Sequence, residues 1–169
     1  MQRIAESFEP RTVEWRRVTD PACTDFTVDF EYSLLGYDLE TGRLDMLLRW
    51  PPHGHCRRHR HVAATMTLVL EGEQLLSERQ PDGTAKAIRR RKGDYALAPA
   101  DALPHDECGG AEGGTVLLSM QAPDGVLFEY FDERKQTRWT VSVGEFVAAW
   151  ESGEAYGQAP TGERATAAA

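Results

Sequence analysis

The chain has 169 residues, enough for one domain with a substantial core and too few for two domains of ordinary size. Its 41% content of hydrophobic residues fits a soluble globular protein. The net charge of −8 argues against nucleic acid as a partner, because nucleic-acid-binding surfaces must neutralise phosphates.

The sequence shows no sign of a secretion or membrane segment. No apolar stretch follows the positive charge near the N-terminus, and no later run approaches the ~18 apolar residues of a membrane span. The three cysteines, Cys23, Cys56 and Cys108, are odd in number and lack Cys-x-x-Cys spacing. Neither a disulfide framework nor a structural zinc knuckle is therefore predicted. We expect a cytoplasmic protein without a membrane partner.

Short strands separated by turns dominate the predicted secondary structure, as in a β-sandwich or β-barrel. The turn sequences Glu-Thr-Gly at 40–42, Pro-Asp-Gly at 81–83 and Pro-Asp-Gly at 123–125 predict hairpins. The predicted strands are 12–18, 26–37, 44–50, 65–71, 74–78, 87–91, 95–98, 115–121, 126–131 and 138–143.

One helix is predicted close to the C-terminus. Ser142 and Glu145 have the spacing of a capping box, and Phe146 and Trp150 share a helical face before Gly153. We expect this helix to cover one end of the barrel.

The predicted domain organisation is simple. A single domain should extend over residues 1–153, and we see no internal repeat. The segment 154–169 is rich in alanine and glycine and is predicted to be a disordered tail.

Three histidines form the strongest functional pattern. His59 and His61 are two residues apart, so in a strand their side chains project to the same face, about 6.5–7 Å apart along the chain. Imidazole is a suitable ligand for zinc, copper, iron and nickel, and His105 from a neighbouring strand can supply a third donor. We predict that these histidines bind one divalent metal ion. The alternative is an unspecific histidine-rich loop; His53 and His55 are placed outside the ligand set, with His55 as a substitute ligand.

The first histidine pair lies in a segment, residues 54–72, that resembles the first motif of the cupin family. The pair and Gly72 fall in register with that motif. The family's glutamate is replaced by Thr65 in this chain.

Residues 93–105 resemble the second cupin motif. Gly93 and Pro99 match it, whereas Asp101 replaces the usual glycine and His105 comes one residue late. The resemblance spans roughly residues 44–121. It implies an all-β fold, the cupin jelly-roll β-barrel or double-stranded β-helix, here with one short C-terminal helix.

Within the family, three-histidine sites without the glutamate resemble those of dioxygenases that cleave diketones and hydroxyacetophenones. Residues 125–133 are also similar to that branch. The resemblance implies Fe(II) at the three histidines, with zinc and nickel as alternatives, and a small anionic or enolisable ligand that chelates the ion through two oxygens. An ion without a carboxylate ligand would keep its double positive charge and would therefore attract an anionic chelator.

Further residues are predicted to contribute to catalysis without binding the metal directly. These residues are Thr65, Tyr95 and Glu107. The arginines at 57, 58 and 60 are predicted to be exposed.

The strand after the histidine pair has two different faces. Continuing the inward phase of the histidines places Thr65 and Thr67 towards the interior and Met66, Leu68 and Leu70 on the opposite face. This apolar stripe needs a cover, and the resemblance implies a dimer, since cupins are commonly dimeric. We expect a homodimer.

Catalysis is not the only function compatible with these motifs. The cupin domain of zinc-containing, ChrR-like anti-sigma factors carries related histidine motifs, so a non-enzymatic zinc sensor that acts through a partner is the main alternative. A metal-dependent isomerase or a cupin of purely structural role also remains open.

Overall fold

The structure, a computed structural model, describes residues 3–4, 13–132, 137–156 and 166–167; for 3–4 and 166–167 only the backbone is considered. Within these ranges the chain forms twelve strands and one helix. They are β1 Arg3–Ile4, β2 Arg16–Asp20, β3 Val28–Asp38, β4 Arg43–Trp50, β5 His59–His61, β6 Ala64–Arg79, β7 Ala85–Arg91, β8 Tyr95–Ala98, β9 His105–Gln121, β10 Val126–Asp132, β11 Thr137–Ser142, α1 Val143–Ser152 and β12 Thr166–Ala167.

The strands form one antiparallel sheet that curls on itself. Its main order is β1-β3-β4-β9-β5-β10-β11-β12; β2 pairs with β3, and β6 pairs with β7, β8 and β9. Strand β9 connects two parts of the sheet, because its first residue pairs with β5 whereas residues 114–121 pair with β4. The predicted cupin jelly roll is confirmed.

Alternation of side chains places the core inside the curled sheet. On β4, for example, Leu44, Met46 and Leu48 point inward and are almost fully buried. The predicted inward phase of β6 is also confirmed, since Thr65 and Thr67 are buried while Met66, Leu68 and Leu70 are only half-buried.

The predicted strands 65–71 and 74–78 are one long strand, β6. Its pairing with β9 shifts register on both sides of Gly72, which has a φ of 60°. A Cβ atom at Gly72 would collide with the carbonyl oxygen of Gly113 on β9, which explains why this motif position requires glycine. Asp101, which replaces the glycine of the second motif, has a φ of 58°, and aspartate tolerates this left-handed region better than most residues.

The largest difference from the prediction is the start of β9. The sequence predicts a strand at 115–121, but β9 begins ten residues earlier, at His105. The glycine-rich stretch 109–114 concealed this extension, because glycine is disfavoured in strand interiors. As a result, His105 and Glu107 lie on a strand and not in a loop.

The predicted helix is confirmed with its capping box. The Glu145 amide donates to Ser142 Oγ at 3.2 Å, and the Ser142 amide donates to Glu145 Oε2 at 2.8 Å. Phe146 and Trp150 pack edge-on against Tyr32 of β3, with ring centroids 5.3 and 5.5 Å from it. No helix in the described ranges is long and apolar enough to cross a membrane.

The core continues beyond the predicted domain boundary at residue 153. Ala155 packs against the core, and Tyr156 belongs to it with only 5% of its surface exposed. Ala155 and Tyr156, predicted to be part of the disordered tail, therefore belong to the folded domain. Most of that tail lies outside the described residues.

Candidate metal centre

The fold brings the three predicted histidines together. His59 and His61 point to the same side of β5, and His59 pairs directly with His105 at the start of β9. The ring centroids lie 4.6 Å apart for His59 and His105 and 5.3 Å apart for His61 and His105. All three side chains are buried.

Glu107 is the fourth member of this cluster. One donor atom from each of His59, His61, His105 and Glu107 lies within 4.8 Å of the others, and Glu107 Oε2 is 3.7 Å from His59 Nε2. Glu107 is predicted above to contribute without binding the metal, at a site without a carboxylate ligand; in the structure its carboxylate lies within the cluster, where it could serve as a fourth ligand. The sequence contained a signal for this role of Glu107, because His105-x-Glu107 repeats the spacing of His59-x-His61.

Backbone hydrogen bonds fix the tautomers of two histidines. His59 Nδ1 lies 2.7 Å from the Arg57 carbonyl oxygen, and His105 Nδ1 lies 3.1 Å from that of Leu103. A carbonyl oxygen can only accept, so each Nδ1 carries the proton and donates it. Each Nε2 therefore presents a lone pair to the centre of the cluster.

Thr65 fixes the third tautomer. Its hydroxyl donates to the Ala63 carbonyl at 3.0 Å and so accepts from His61 Nδ1 at 2.8 Å. Thr65 thus contacts the His61 nitrogen that faces away from the cluster. Thr65 therefore contacts a histidine of the cluster and not the position of the ion. Hydrogen bonds of this kind orient metal-binding histidines.

The donor set fits a divalent cation. With both Nδ1 atoms protonated, the Nε2 lone pairs of His59 and His61 face each other at 3.2 Å, and His105 Nε2 is buried with no hydrogen-bond partner in the described part of the chain. Burial, together with the neighbouring His105, lowers the pKa of His59 to about 3, and burial lowers that of His61 well below its usual value. Because protonation is disfavoured, a metal ion is the natural partner of these lone pairs.

The carboxylate of Glu107 is held by the side chain of Gln74, whose amide donates to Oε1. Gln74 is in turn held by Arg90, whose Nη1 donates to the Gln74 amide oxygen at 2.9 Å. Since Oε1 is engaged by Gln74, Oε2, the atom nearest to His59, is the oxygen available to an ion.

A cavity of about 10 Å³ borders the cluster, a volume sufficient for roughly one water molecule or one ion. Tyr156 is part of the wall of this cavity. The sequence did not predict this role, because Tyr156 falls in the predicted tail. The lining residues are Leu48, Cys56, His59, His61, Glu107, Leu118, Phe128, Tyr130 and Tyr156.

Tyr95 does not join the site. It pairs with Leu68 on β6 and therefore lies on the face opposite Thr65 and Thr67, where 63% of it is exposed. The expectation of a catalytic role for Tyr95 is corrected by this register. His55 stacks on Phe26 with a centroid distance of 4.6 Å and lies outside the cluster, as predicted.

The arginines near the histidine pair form ion pairs, contrary to the prediction that they are exposed. Arg57 contacts Asp20 at 2.8 Å, and Arg58 contacts Asp106 through two hydrogen bonds of 2.7 and 2.9 Å. These pairs anchor the segment before β5 to β2 and β9. They stabilise the position of the ligands and do not enter the cavity.

Comparison with known proteins agrees with this architecture. The model of the ChrR cupin-like domain matches residues 7–124, more than half of the chain. The chain belongs to this family. No curated protein sequence matches this chain.

Solved structures with a TM-score above 0.5 share the fold at low sequence identity. A proposed acetylacetone dioxygenase from Methylibium petroleiphilum PM1 is 17% identical with a TM-score of 0.61, covering 88% of this ChrR-like cupin and 96% of that chain. An oxalate decarboxylase variant from Bacillus subtilis is 16% identical with a TM-score of 0.53, covering 88% and 37%. An RmlC-like cupin from Shewanella frigidimarina NCIMB 400 is 18% identical with a TM-score of 0.48, covering 71% and 92%.

Proposed function

We propose that this ChrR-like cupin is a metal-dependent dioxygenase that binds Fe(II) and cleaves a carbon–carbon bond in a small chelating diketone or hydroxyketone. The proposal is carried by one observation, the one-sided arrangement of the donors. His59 and His61 lie on β5, His105 and Glu107 lie on the adjacent β9, and the cavity beside them is largely apolar.

One-sided coordination distinguishes a catalytic site from a closed structural one. A catalytic metal keeps positions that the protein does not fill. Here the cavity beside the cluster is also lined by Leu48, Leu118 and Phe128, which cannot act as ligands. A bound ferrous ion would supply the one-electron chemistry that dioxygen requires and the positive charge that holds a chelating anion.

The charge of the donor set suits a monoanion. Three neutral imidazoles and one carboxylate reduce the formal charge of a divalent ion from two to one. The attraction for an anionic chelator is therefore weaker than a site without Glu107 would provide, but an enolate or phenolate with a single charge is still matched.

Residues of the cavity wall would orient the substrate and exclude water. The apolar side chains of Leu48, Leu118 and Phe128 keep the site dry. Burial raises the pKa of Tyr130 well above its usual value, so this hydroxyl keeps its proton and can donate to an anionic substrate oxygen.

Oxygen consumption tests the proposal. Protein loaded anaerobically with Fe(II) is mixed with a panel of β-diketones and hydroxyacetophenones, and oxygen uptake and acid products are measured. We expect uptake with at least one member of the panel and none for His61→Ala. The matched control, His53→Ala, changes an exposed histidine outside the cluster and should retain the activity.

A zinc-binding sensor is the second candidate function. It is favoured by the family match and by the small cavity, which has room for about one ion and none for a chelating substrate. Protein purified without added metal distinguishes the two functions. Zinc with no oxygen uptake on the panel would favour sensing, whereas iron with uptake would favour the dioxygenase.

A further inference from the structure

The last described residues of the domain fold back onto the metal centre. Helix α1 ends at Gly153, whose φ of 83° reverses the chain. Three residues later Tyr156 enters the core and lines the cavity beside the histidines. Residues 153–156, which we call the closing segment, thus form one wall of the site.

Side-chain contacts hold the closing segment in place. The Tyr32 hydroxyl donates to the Glu154 carbonyl at 3.3 Å. The Tyr156 ring lies 4.3 Å from that of Phe146 and 4.6 Å from that of Tyr32. Tyr156 and Tyr130 both line the cavity.

The other walls of the cavity are fixed by the sheet. Leu48, Leu118 and Phe128 lie within β4, β9 and β10, where ladder hydrogen bonds fix the backbone. Cys56 is bonded through its amide to the Glu107 carbonyl at 2.9 Å. Tyr156 is the lining residue that lies after the last helix of the domain, and it can move without breaking a strand.

The cavity is so small that a small-molecule ligand can reach the histidines only if Tyr156 moves. A volume of about 10 Å³ admits one water or ion, whereas pockets for small-molecule ligands have volumes on the order of 300 Å³ or more. A chelating molecule with several heavy atoms cannot reach the histidines while Tyr156 is in place.

We propose that Tyr156 is the gate of the metal centre, and that the size of its side chain controls which molecules reach the ion. Displacement of the closing segment opens the site, and its return seals the site against water. The inference rests on the metal centre of the proposed function but not on its oxygen chemistry.

Metal transfer without substrate tests the gate. Wild-type protein and variants are loaded with Zn²⁺ and mixed with a chromophoric chelator, and the rate of metal transfer is followed by absorbance. Tyr156→Ala removes the wall and should accelerate transfer at least about tenfold, because the lost ring leaves an opening that the fixed strands cannot close. Tyr156→Phe keeps the ring and should stay much closer to wild type.

Two further variants keep the proposal falsifiable. Tyr32→Phe removes only the hydroxyl that holds Glu154, and should accelerate transfer by a few-fold to about tenfold, the effect of one buried hydrogen bond. Phe30→Leu is the control, because Phe30 packs against Tyr156 at 6.3 Å but does not line the cavity. It should transfer metal at nearly the wild-type rate.

The outcomes separate the gate from the proposed function. Wild-type transfer rates in folded Tyr156→Ala, or equal acceleration by Phe30→Leu, would overturn the gate even if oxygen uptake is found. If Tyr156→Ala does not fold, Tyr156→Leu and Tyr32→Phe decide, and wild-type rates in both overturn the gate. Acceleration by the Tyr156 and Tyr32 variants with a silent Phe30→Leu supports the gate even if no substrate of the panel is consumed.

Discussion

Gln74 on β6 donates a side-chain hydrogen bond to Glu107 on β9 inside the barrel. Gln74 is only 1% exposed, and Arg90 on β7 donates to its amide oxygen. The contact links the basic strand β7 to a candidate metal ligand through a single buried amide. It also leaves Glu107 with one oxygen for the ion.

Replacing Gln74 should weaken the metal site. Gln74→Leu keeps the approximate size but removes the donor to Glu107, so we expect metal affinity to fall by about 10- to 100-fold, as for other residues that orient ligands. Competition titration with a calibrated chelator measures the change. Gln121→Leu, at an exposed position of β9, is the control. Equal affinities of wild type and Gln74→Leu would contradict the role of this contact.

Thr65 should act through the orientation of His61. Thr65→Val removes the hydroxyl that accepts from His61 Nδ1 and should lower metal affinity by about 10- to 100-fold. Thr65→Ser retains the hydroxyl and should bind nearly as well as wild type. Thr67→Val, at the next inward position of β6, separates this effect from a general cost of changing a buried threonine. The prediction fails if Thr65→Val and Thr67→Val have the same affinity.

The buried histidines predict how stability depends on pH. In the folded protein the pKa of His59 is lowered to about 3, mainly by burial, whereas in the unfolded chain it returns to the usual 6.5. Below pH 6.5 the unfolded chain therefore takes up a proton that the folded chain does not. The contribution of His59 to the free energy of unfolding of the metal-free protein should be constant above pH 7, and should fall by about 1.4 kcal/mol per pH unit as the pH decreases from 6.5 towards 3.

Denaturant unfolding of the metal-free protein at several pH values measures this slope. His59→Gln should reduce the slope by about 1.4 kcal/mol per pH unit, the effect of one proton, between pH 6 and 4.5. His53→Gln should leave the slope unchanged, since His53 is exposed. An identical slope for wild type and His59→Gln would show that His59 titrates normally in the folded state.

The outer face of β6 and β8 leads to a prediction about assembly. Leu97, which is 68% exposed, pairs with Met66, and Tyr95 pairs with Leu68, so the predicted apolar stripe extends onto β8. We propose that a second copy of the chain covers it. Leu97→Lys should then convert a dimer to a monomer in light scattering, because an unpaired charge is costly in an apolar interface.

The control for assembly is Leu39→Lys, which changes another exposed leucine, 48% exposed, in the turn between β3 and β4. It should remain dimeric. A wild-type protein that is monomeric at micromolar concentration, or a Leu97→Lys variant that remains dimeric, would refute the proposed interface.

Local spacing was sufficient to predict part of the site. The period of two residues in a strand places His59 and His61 on one face, and the motif resemblance adds His105. The capping box and the inward phase of β6 follow from equally local rules. These features depend on residues that are neighbours in sequence, so no knowledge of the fold was needed.

The remaining features depend on contacts between distant segments. Glu107 joins the histidine cluster because β9 begins at His105, and the glycine-rich stretch that follows concealed this start. The role of Thr65 depends on which nitrogen of His61 faces inward, and this orientation is fixed only by packing. Tyr156 reaches the cavity through a chain reversal at Gly153, and no sequence period encodes such a contact.

The most direct test of the account is the metal content of ligand variants. Wild-type protein, His105→Ala, Glu107→Gln and the control His53→Ala are dialysed against the same dilute divalent metal, and the bound ion is measured by elemental analysis. We predict one ion per chain in wild type and His53→Ala, and a large loss in His105→Ala and Glu107→Gln. Full occupancy in both His105→Ala and Glu107→Gln would contradict the proposed metal centre.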